Sequence, residues 1–414
     1  MVVPLLGAVL ALAAQDTVSF TLPQAVARTV AVSPSVAAAE GAAHAPRGAR
    51  AESIWPLPSP PTFTFSRLRR RGPGVDGFDH AYSVRQEIDV TGQGFLKAAA
   101  AGSRVAAAQS LADDARRLTA LEGELAYVRL AVMEQRAAVL DSAARTSERL
   151  ADIARRQLDA GAINRLEANA ALLDAGRQRS LADRAFAERG AAAADLGRLL
   201  ALPTDSVPHT AGLATVPDAA LPALPSLLAL ALSRRPDLAA AGLEVAGARK
   251  DVTANRLAQL PTLEVGVDWG SELSETLRGF TIGMRVPLFR RNQAGRGLAL
   301  AEQTRAIAEA DAARRRVQAE VTEARERWVR ARAAERRLSQ EVLRAAEENV
   351  ALSQRALEEG RAGIPDVLLF RSVAVAVKVE YLDVLRDAHA AWFSLASALG
   401  VSVAELARLG GTSQ

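Results

Sequence analysis

An internal repeat restricts the fold of this chain more than any other feature of its sequence. Landmarks of the first half return about 200 residues later and in the same order. They are Leu22-Pro23 with Pro34 and Leu224-Pro225 with Pro236, then Pro61-Thr62 and Pro261-Thr262, then Leu158 to Gly161 and Leu357 to Gly360. Their shared order argues against coincidence in an alanine-rich chain. Each half therefore predicts a helix, a strand pair, a very long helix, a tight turn and a long helix.

The repeat also sets the boundaries of the predicted segments. The first repeat covers 20–202, a proline-rich linker covers 203–223, and the second repeat covers 224–401. Strands are expected at about 61–69, 80–90, 261–269 and 279–289, and long helices at about 96–158, 164–201, 292–358 and 364–400. Residues 1–13 form a short apolar run that ends in small residues, which predicts a secretory signal peptide. Residues 402–414 are expected as a C-terminal tail.

Apolar and polar residues alternate in all four predicted strands, which are about 8–11 residues long. That length is enough for a tilted strand to cross a bilayer. Four strands cannot close a barrel, and an open sheet edge cannot face lipid, so several protomers would have to share one barrel. The connecting segments, Arg70 to Asp79 and Gly270 to Arg278, are polar and contain glycine, which predicts solvent loops. The alternative is a soluble four-stranded sheet packed on helices.

The segments before the two tight turns are long and free of proline. As helices, Leu96 to Leu158 and Asn292 to Leu357 would each extend about 95–100 Å. Both carry a column at seven-residue spacing, which predicts a seam that coils around a neighbouring helix. The columns are Leu111, Leu118, Leu125, Val132, Val139, Thr146 and Ile153 in the first half, and Val317, Ala324, Ala331, Leu338, Ala345 and Leu352 in the second. The helices alone favour a plain coiled coil, whereas the strand pairs favour a tunnel.

Composition argues against several classes of function. The sequence has no cysteine, so we expect no disulfide, no thiolate metal site and no lipid-modified cysteine. Its 51 Lys and Arg residues are interspersed with 47 Asp and Glu residues, which does not favour nucleic-acid binding. The four histidines lack ligand spacing and no nucleophile–base motif recurs, so we expect no metal, no cofactor and no enzymatic activity. Beyond residue 14, no apolar run of about 20 residues predicts a membrane-spanning helix.

The duplicated order of strand pair, long helix, glycine turn and long helix resembles the TolC family of outer-membrane efflux proteins over roughly residues 20 to 401. Within this family, the chain is most similar to the heavy-metal and multidrug efflux branch. Val286-Pro287-Leu288-Phe289 fits a proline-containing corner of family members, whereas Ile88-Asp89-Val90 in the first half lacks the proline. The resemblance implies a mainly α fold with a small β part. Its duplicated strand-pair and helix-hairpin units would form a trimeric β-barrel and a periplasmic α-barrel with a small mixed belt.

The resemblance also implies a function and a set of partners. It implies an outer-membrane exit duct of a tripartite efflux system, which passively conducts small molecules or metal ions to the exterior. The implied partners are two further copies of the chain, a periplasmic adaptor protein, an inner-membrane transporter of the resistance-nodulation-division type, and outer-membrane lipid. The implied location is the outer membrane of a Gram-negative-type bacterium, reaching into the periplasm.

The turns at the far ends of the long helices are the candidate docking site. In the TolC family these periplasmic hairpin tips contact the helical hairpins of the adaptor. The residues that match the tips by position are Gly161, Ala162, Ile163, Asn164, Gly360, Gly363, Ile364 and Pro365. The alternative is that these residues only serve to reverse the chain, since glycine takes the left-handed conformation readily.

An acidic residue follows six positions after each tip glycine, Glu167 in the first half and Asp366 in the second. Asp366 matches an acid that rings the closed periplasmic entrance in family relatives. Three carboxylates around one axis would attract cations and repel anions. The usual second acid is replaced by Leu369, so a double acidic ring is not expected. The alternative for Asp366 is a solvated helix N-terminus, where carboxylates are favoured.

Two further interpretations of the chain remain open at this point. The same architecture would serve as the duct of a type I protein secretion system. A periplasmic coiled-coil adaptor or structural protein would explain the helices, although not the duplicated strand pairs. Separately, the cluster of Arg67, Arg69, Arg70 and Arg71 lies near a predicted outer loop and suits the phosphates of lipopolysaccharide, but an arginine-rich composition explains it equally well.

Overall fold

The computed structural model describes residues 16–272, 275–289 and 291–411, so the predicted signal peptide at 1–13 lies outside the described residues. The fold is mainly α with a small β part. The strands are β1 (Asp16–Phe20), β2 (Thr62–Gly72), β3 (Val75–Ile88), β4 (Ser206–Thr210), β5 (Thr262–Glu272) and β6 (Glu275–Arg285). The helices are α1 (Leu22–Val32), α2 (Pro34–Gly41), α3 (His44–Ser53), α4 (Gln93–Asp159), α5 (Arg165–Leu199), α6 (Leu224–Arg234), α7 (Pro236–Leu257), α8 (Gln293–Arg337), α9 (Leu343–Glu358), α10 (Ile364–Leu399) and α11 (Val403–Leu409).

The two halves follow the same order of elements. In each half, short helices lead to a strand pair, then to a long helix, a turn and a second long helix. A π-helical turn, Leu338–Val342, joins α8 to α9 in the second half and has no counterpart in α4. The duplicated architecture predicted from the sequence is therefore present.

The described residues form two compact units. The helix-hairpin unit contains the residues up to Val36, Arg116–Arg234 and the residues from Gln318 onward. The sheet unit contains Ala37–Ala115 and Arg235–Val317.

In the sheet unit, β2, β3, β5 and β6 form one antiparallel sheet in that order. The predicted solvent loops at 70–79 and 270–278 are wrong for most of their length, because the strands continue through them. Pairing persists to Gly72 and Val75, so Pro73 and Gly74 alone form the first turn. Gly74 has a φ of 81°, a conformation that glycine adopts without steric cost. Backbone hydrogen bonds do not depend on side-chain polarity, which is why a polar segment can remain in the sheet.

The register of the sheet segregates apolar from polar side chains. Residues paired across antiparallel strands lie on the same face. Phe63 therefore shares a face with Val84, Val267 and Phe280, and the next row brings Phe65, Tyr82 and Trp269 together. We call this the apolar face. The polar face carries the alternate residues of the same strands.

In the helix-hairpin unit, a small parallel sheet pairs β1 with β4. The predicted linker 203–223 thus contains a strand, which its composition did not indicate. Tyr127 of α4 holds this sheet in place, since its buried hydroxyl lies 3.1 Å from the carbonyl oxygens of both Phe20 and Gly212. The predicted C-terminal tail likewise contains α11.

Only part of the seven-residue column predicted in α4 lies in the packed seam of the protomer, where Val132 is fully buried. Leu111 and Leu118 are about half exposed, at 49% and 50%. Alanines make up half of the buried positions of α4, among them Ala137, Ala144 and Ala154. Alanine lets helices approach closely, so small residues form much of the packed face, whereas Leu111 and Leu118 stay largely outside it.

The predicted column of α8 is buried at first and then changes register. Val317 and Ala324 are buried as expected. After the π-helical turn, however, Ala346 and Ser353 are buried, where the seven-residue spacing predicted Ala345 and Leu352. A π-helical turn adds one residue to a helix, which accounts for the shift by one position.

Among the described residues, no single helix combines the length and the apolarity needed to cross a membrane. Only α10 and α11 taken together, with a bend of 90° between them, pass on length and composition.

Candidate functional site: helix-hairpin tips and a two-faced sheet

The first hairpin tip is a helix stop followed directly by a helix start. Gly161 has a φ of 71°, and the amide of Ala162 donates to the carbonyl of Gln157 at 2.8 Å, which closes α4 in a Schellman arrangement. Asn164 then caps α5, because its side chain accepts from the amide of Glu167 at 3.0 Å. Glu167 returns the contact by accepting from the amide of Asn164 at 3.4 Å.

The second tip reaches the same geometry with different residues. Gly360 has a φ of 70°, and the amide of Arg361 donates to the carbonyl of Ala356 at 2.8 Å. Gly363 occupies the N-cap of α10 without a side chain to offer, and Pro365 follows in the first turn. The carboxylate of Asp366 accepts from the amide of Gly363 at 3.0 Å.

The two tips are held together by one apolar cluster. Ala154 of α4, Ala171 of α5 and Leu368 of α10 form its buried centre, and Ile163 and Ile364 pack against it from the two turns. Ile163 and Ile364 are therefore half-buried spacers between hairpins. The outward surface of the tips consists of Gly161, Ala162, Asn164, Gly360 and Pro365, all of which are exposed.

Above this cluster, the first hairpin contributes a buried polar layer, which we define as Ser147, Asp174 and Gln178. The Ser147 hydroxyl donates to Asp174 at 2.6 Å, and the Gln178 amide donates to Asp174 at 3.3 Å. Gln178 is only 4% exposed, and its Oε1 accepts no hydrogen bond from any described residue. No local sequence pattern indicates this layer, since its members are ordinary helix residues from two different helices.

The polar layer lines a cavity of about 580 Å³ together with residues of α9 and α10. Arg371 lines the same cavity, and burial lowers the pKa of its guanidinium while attraction to Asp174 opposes that shift. Apolar clusters lie on both sides of the layer along α4 and α5, with Ala144 and Ala182 on one side and Ala154 and Ala171 on the other. A charged layer thus interrupts an otherwise apolar packing.

The polar face of the sheet carries six carboxylates and three arginines, an excess of three negative charges. The carboxylates are those of Asp79, Glu87, Glu264, Asp268, Glu272 and Glu275, and the arginines are Arg70, Arg85 and Arg285. Each arginine is ion-paired: Arg70 with Asp79 at 3.0 Å and Glu272 at 3.4 Å, Arg85 with Asp268 at 3.8 Å, and Arg285 with Glu87 at 2.9 Å and Glu264 at 3.7 Å. This face is built for contact with water and ions.

The apolar face is exposed in the protomer. Phe280 is 80% exposed, and Phe63, Ile282 and Met284 are each between 62% and 67% exposed. Aromatic rings run across the strands on this face. The Tyr82 ring stacks on Trp269 at 5.7 Å between centroids and is tilted by 32° against Phe65 at 5.0 Å. An exposed apolar face of this extent indicates a surface that another apolar phase covers.

Comparisons with known proteins agree with this architecture. Residues 227–401 match the family described as Outer membrane efflux protein. A membrane protein from Pseudomonas aeruginosa is 21% identical, with 92% of each chain covered and a TM-score of 0.76. The MtrE outer membrane channel of Neisseria gonorrhoeae, solved in an open state, is 18% identical, with 92% of this chain and 89% of that chain covered and a TM-score of 0.74. A search of curated proteins finds no sequence match.

A third structure, the CmeC outer membrane channel of Campylobacter jejuni, is 16% identical, with 92% of this chain and 85% of that chain covered and a TM-score of 0.72. At these identities the structures establish the fold, which is that of outer-membrane channels. The family match and the shared fold confirm the resemblance to the TolC family of outer-membrane efflux proteins. Residues 227–401 thus match an outer membrane efflux family, and the chain has the fold of outer-membrane channels.

Proposed function

We propose that three copies of this chain form the exit duct of a tripartite efflux system in the outer membrane. In this arrangement an inner-membrane transporter, of the resistance-nodulation-division type, supplies energy and substrate selection. A periplasmic adaptor connects that transporter to the duct. The duct itself conducts small molecules or metal ions passively to the exterior and catalyses no reaction.

The observation that carries the proposal is the four-stranded sheet with two open edges. Within the described residues, β2 and β6 each pair on one side only. An unpaired strand edge next to lipid costs several kcal/mol per unsatisfied backbone group. Because β2 and β6 run antiparallel to each other in a sheet of four strands, β6 of one protomer can pair with β2 of the next and close the barrel.

The two faces of the sheet fit the two sides of such a barrel. The apolar face meets lipid, and the polar face lines the lumen. Three protomers would then surround the lumen with three times the carboxylate excess found on one polar face, which favours cations in the pore. The exposed part of the leucine column of α4, including Leu111 and Leu118, supplies a second surface for packing between protomers.

Disulfide cross-linking tests the closure directly, because the chain has no cysteine of its own. Thr64→Cys on β2 is combined with Gly279→Cys, Thr281→Cys or Gly283→Cys on β6, which samples the register. We expect at least one pair to give covalent trimers in membranes, while each single cysteine gives at most dimers. A matched pair on the interior strands, Ser83→Cys with Asp268→Cys, should cross-link only within one chain. Absence of covalent trimers from every edge pair, with the interior pair intact, would contradict the trimer.

We further propose that the exposed tip residues contact the adaptor. Gly161 and Gly360 are poor test positions, since their positive φ makes any side chain strain the turn. Ala162 is exposed and does not have a positive φ, so Ala162→Arg changes the surface alone. We expect it to weaken pull-down of the adaptor about tenfold. Ala187→Arg, an exposed alanine of α5 away from the tip, is the control. Equal adaptor binding by both variants would reject the contact.

The gate role of Asp366, with Glu167 as its counterpart, also remains a proposal. Both carboxylates cap their own helix, so an alanine substitution would remove a cap and a charge together. Asp366→Asn keeps an acceptor for the amide of Gly363 and removes only the charge. In planar bilayers we expect it to relieve block by divalent cations, with Glu167→Gln having the smaller effect. Unchanged cation block in both variants would leave capping as the only role.

A further inference from the structure

The arginines of the sheet differ in how they are satisfied. Arg70, Arg85 and Arg285 on the polar face all form ion pairs within the sheet. On the apolar face, the register places four more: Arg67, Arg69, Arg71 and Arg278. Only Arg69 has a carboxylate partner there, Asp76, with two contacts at 3.1 and 3.2 Å. Among the described residues, no carboxylate lies within ion-pair distance of the other three.

These three arginines lie in three different rows at the hairpin-turn end of the sheet. The apolar face is free of charge from Leu263 up to the row of Phe65, Tyr82 and Trp269. Arg278 pairs with Trp269 in that row, and Arg67 and Arg71 lie between it and the hairpin turn that follows β2. The positive charge therefore begins in the aromatic row and continues towards the hairpin turn.

Local packing positions at least one of these guanidinium groups and leaves its N–H donors available to a ligand. The guanidinium carbon of Arg67 lies over the Phe78 ring, 3.8 Å from its centroid, which is within cation–π distance. A cation–π contact occupies the face of the ring and does not use up the five N–H donors of the guanidinium. The edge of the guanidinium matches two oxygens of a phosphate in a bidentate contact.

We propose that Arg67, Arg71 and Arg278 form a basic collar that binds phosphate-bearing lipid headgroups at the edge of the apolar face. The inference rests on the proposed insertion of this sheet in a membrane. Aromatic residues mark the boundary between the hydrocarbon core and the headgroups in membrane barrels. The collar begins at that boundary with Arg278 and extends beyond it with Arg67 and Arg71. Headgroup phosphates are the anions found at this depth, which is why a lipid is favoured over a soluble anion.

The test measures lipid binding to the purified full-length trimer by native mass spectrometry. The probes are diphosphorylated lipid A and the same lipid without its phosphates. We expect the wild-type chain to retain the phosphorylated form about tenfold more tightly. The triple variant R67Q/R71Q/R278Q should lose that preference, and the triple variant R67K/R71K/R278K, which keeps the charge but not the bidentate edge, should lose part of it.

The matched control is R70Q/R85Q/R285Q, which removes three arginines from the polar face of the same strands. It breaks more ion pairs than the collar variant, so a general loss of sheet stability would affect it more. We expect it to keep the preference for phosphorylated lipid. A collar variant that binds phosphorylated lipid as tightly as the wild type would overturn the inference. Full competition by inorganic phosphate would also overturn it, because the site would then accept a free anion.

Failure of the inference can be told apart from failure of the proposed function. A wild-type chain that forms conducting trimers in bilayers without preferring phosphorylated lipid contradicts the collar alone. A chain that neither trimerises nor inserts contradicts both.

Discussion

The two helix hairpins share one architecture, yet their long helices keep their faces in register by different means. In the first hairpin, α4 runs for 67 residues without a break. In the second, α8 ends at Arg337 and a π-helical turn intervenes before α9. The buried positions beyond that turn, Ala346 and Ser353, are displaced by one residue from the column that precedes it. Equivalent packing can therefore come from a regular helix or from a helix that absorbs an extra residue.

The hairpins also differ in what they bury. The polar layer of Ser147, Asp174 and Gln178 comes wholly from the first hairpin. At the tip-to-tip offset of 199 residues, given by Gly161 and Gly360, the corresponding positions are Ala346, Val373 and Val377. The second hairpin is thus apolar where the first is polar. Duplication preserved the shape of the unit and let its chemistry diverge.

Deleting one residue should disrupt α4 far more than the second long helix, which contains the π-helical turn. This is the largest difference that we expect between the two hairpins. Removal of Ala143 from α4 turns the rest of the helix by about 100°, which takes Ala144 and Ala154 off the buried face. We expect no heat-stable oligomer. Removal of Gln340 should instead convert the π-helical turn into α-helix and keep all faces in place, with folding retained. Circular dichroism and resistance of the oligomer to SDS measure both. If the Gln340 deletion proves as damaging as the other, the extra-residue explanation is wrong.

Substitutions in the polar layer should have the next largest effect on stability. Asp174→Val leaves Ser147 and Gln178 buried without their shared acceptor, and should cost about 1–3 kcal/mol of unfolding free energy. The triple variant S147A/D174V/Q178V installs the residues of the second hairpin and removes every partner at once. We expect it to be more stable than the single variant. Denaturant unfolding measures the stability of the two variants. A triple variant less stable than D174V would mean that the polar layer is itself stabilising.

A third contrast concerns Glu124 and Glu323, which are separated by the tip-to-tip offset of 199 residues. Burial raises the pKa of Glu124 to about 7, whereas Glu323 is 61% exposed and pairs with Arg327. Since the folded-state pKa of Glu124 exceeds the value of 4.5 for an unburied Glu, its stabilisation is complete below pH 4.5 and is lost as pH rises through 7.

Glu124→Gln should therefore raise stability at pH 8 by about 1–2 kcal/mol and change it little at pH 4.5. Glu323→Gln is the matched control, and we expect no such pH dependence. Thermal melts across this range measure the difference. Parallel pH profiles for the wild type and Glu124→Gln would refute the buried-carboxyl assignment.

Substitution of the tip glycines should have the smallest effect on stability, and the effect should be similar at both tips. Gly161→Ala and Gly360→Ala each force a side chain into positive φ, at a cost of about 1 kcal/mol. Gly176 lies inside α5 with nothing within 4 Å of an added Cβ. Gly176→Ala should therefore stabilise by about 0.5–1 kcal/mol. Melting temperatures that fall for both tip variants and rise for the interior one are expected; a fall for Gly176→Ala would be inconsistent with this account.

Local sequence signals proved sufficient for the turns and the strand pairs. Gly161 and Gly360 stop their helices with φ near 70°, as residues without a Cβ do most readily. The strand alternation was visible in residues such as Phe63 and Phe65, because its period is fixed by the backbone. The predicted loops failed at Arg70 and its neighbours, since cross-strand ion pairs keep a polar segment in the sheet. The composition of a segment does not show which residues will pair across the strands.

Other features of the site depend on contacts that the sequence does not display. The alternation along β2, β5 and β6 could be predicted strand by strand, but which faces coincide was decided by the register. The polar layer joins Ser147 to Asp174 across two helices, and no local pattern connects them. The docking and gate assignments at Ala162 and Asp366 remain predictions.

By itself, the sequence determined the duplicated order of elements, the length of the helices and the places where the chain reverses. Those properties follow from backbone preferences, which act over a few residues and recur in both halves. Only the tertiary structure decided which alanines form the packed seam, where the second helix takes an extra residue, and which arginines find a partner. Each of these depends on distances between residues far apart in the chain, and it is packing that sets those distances.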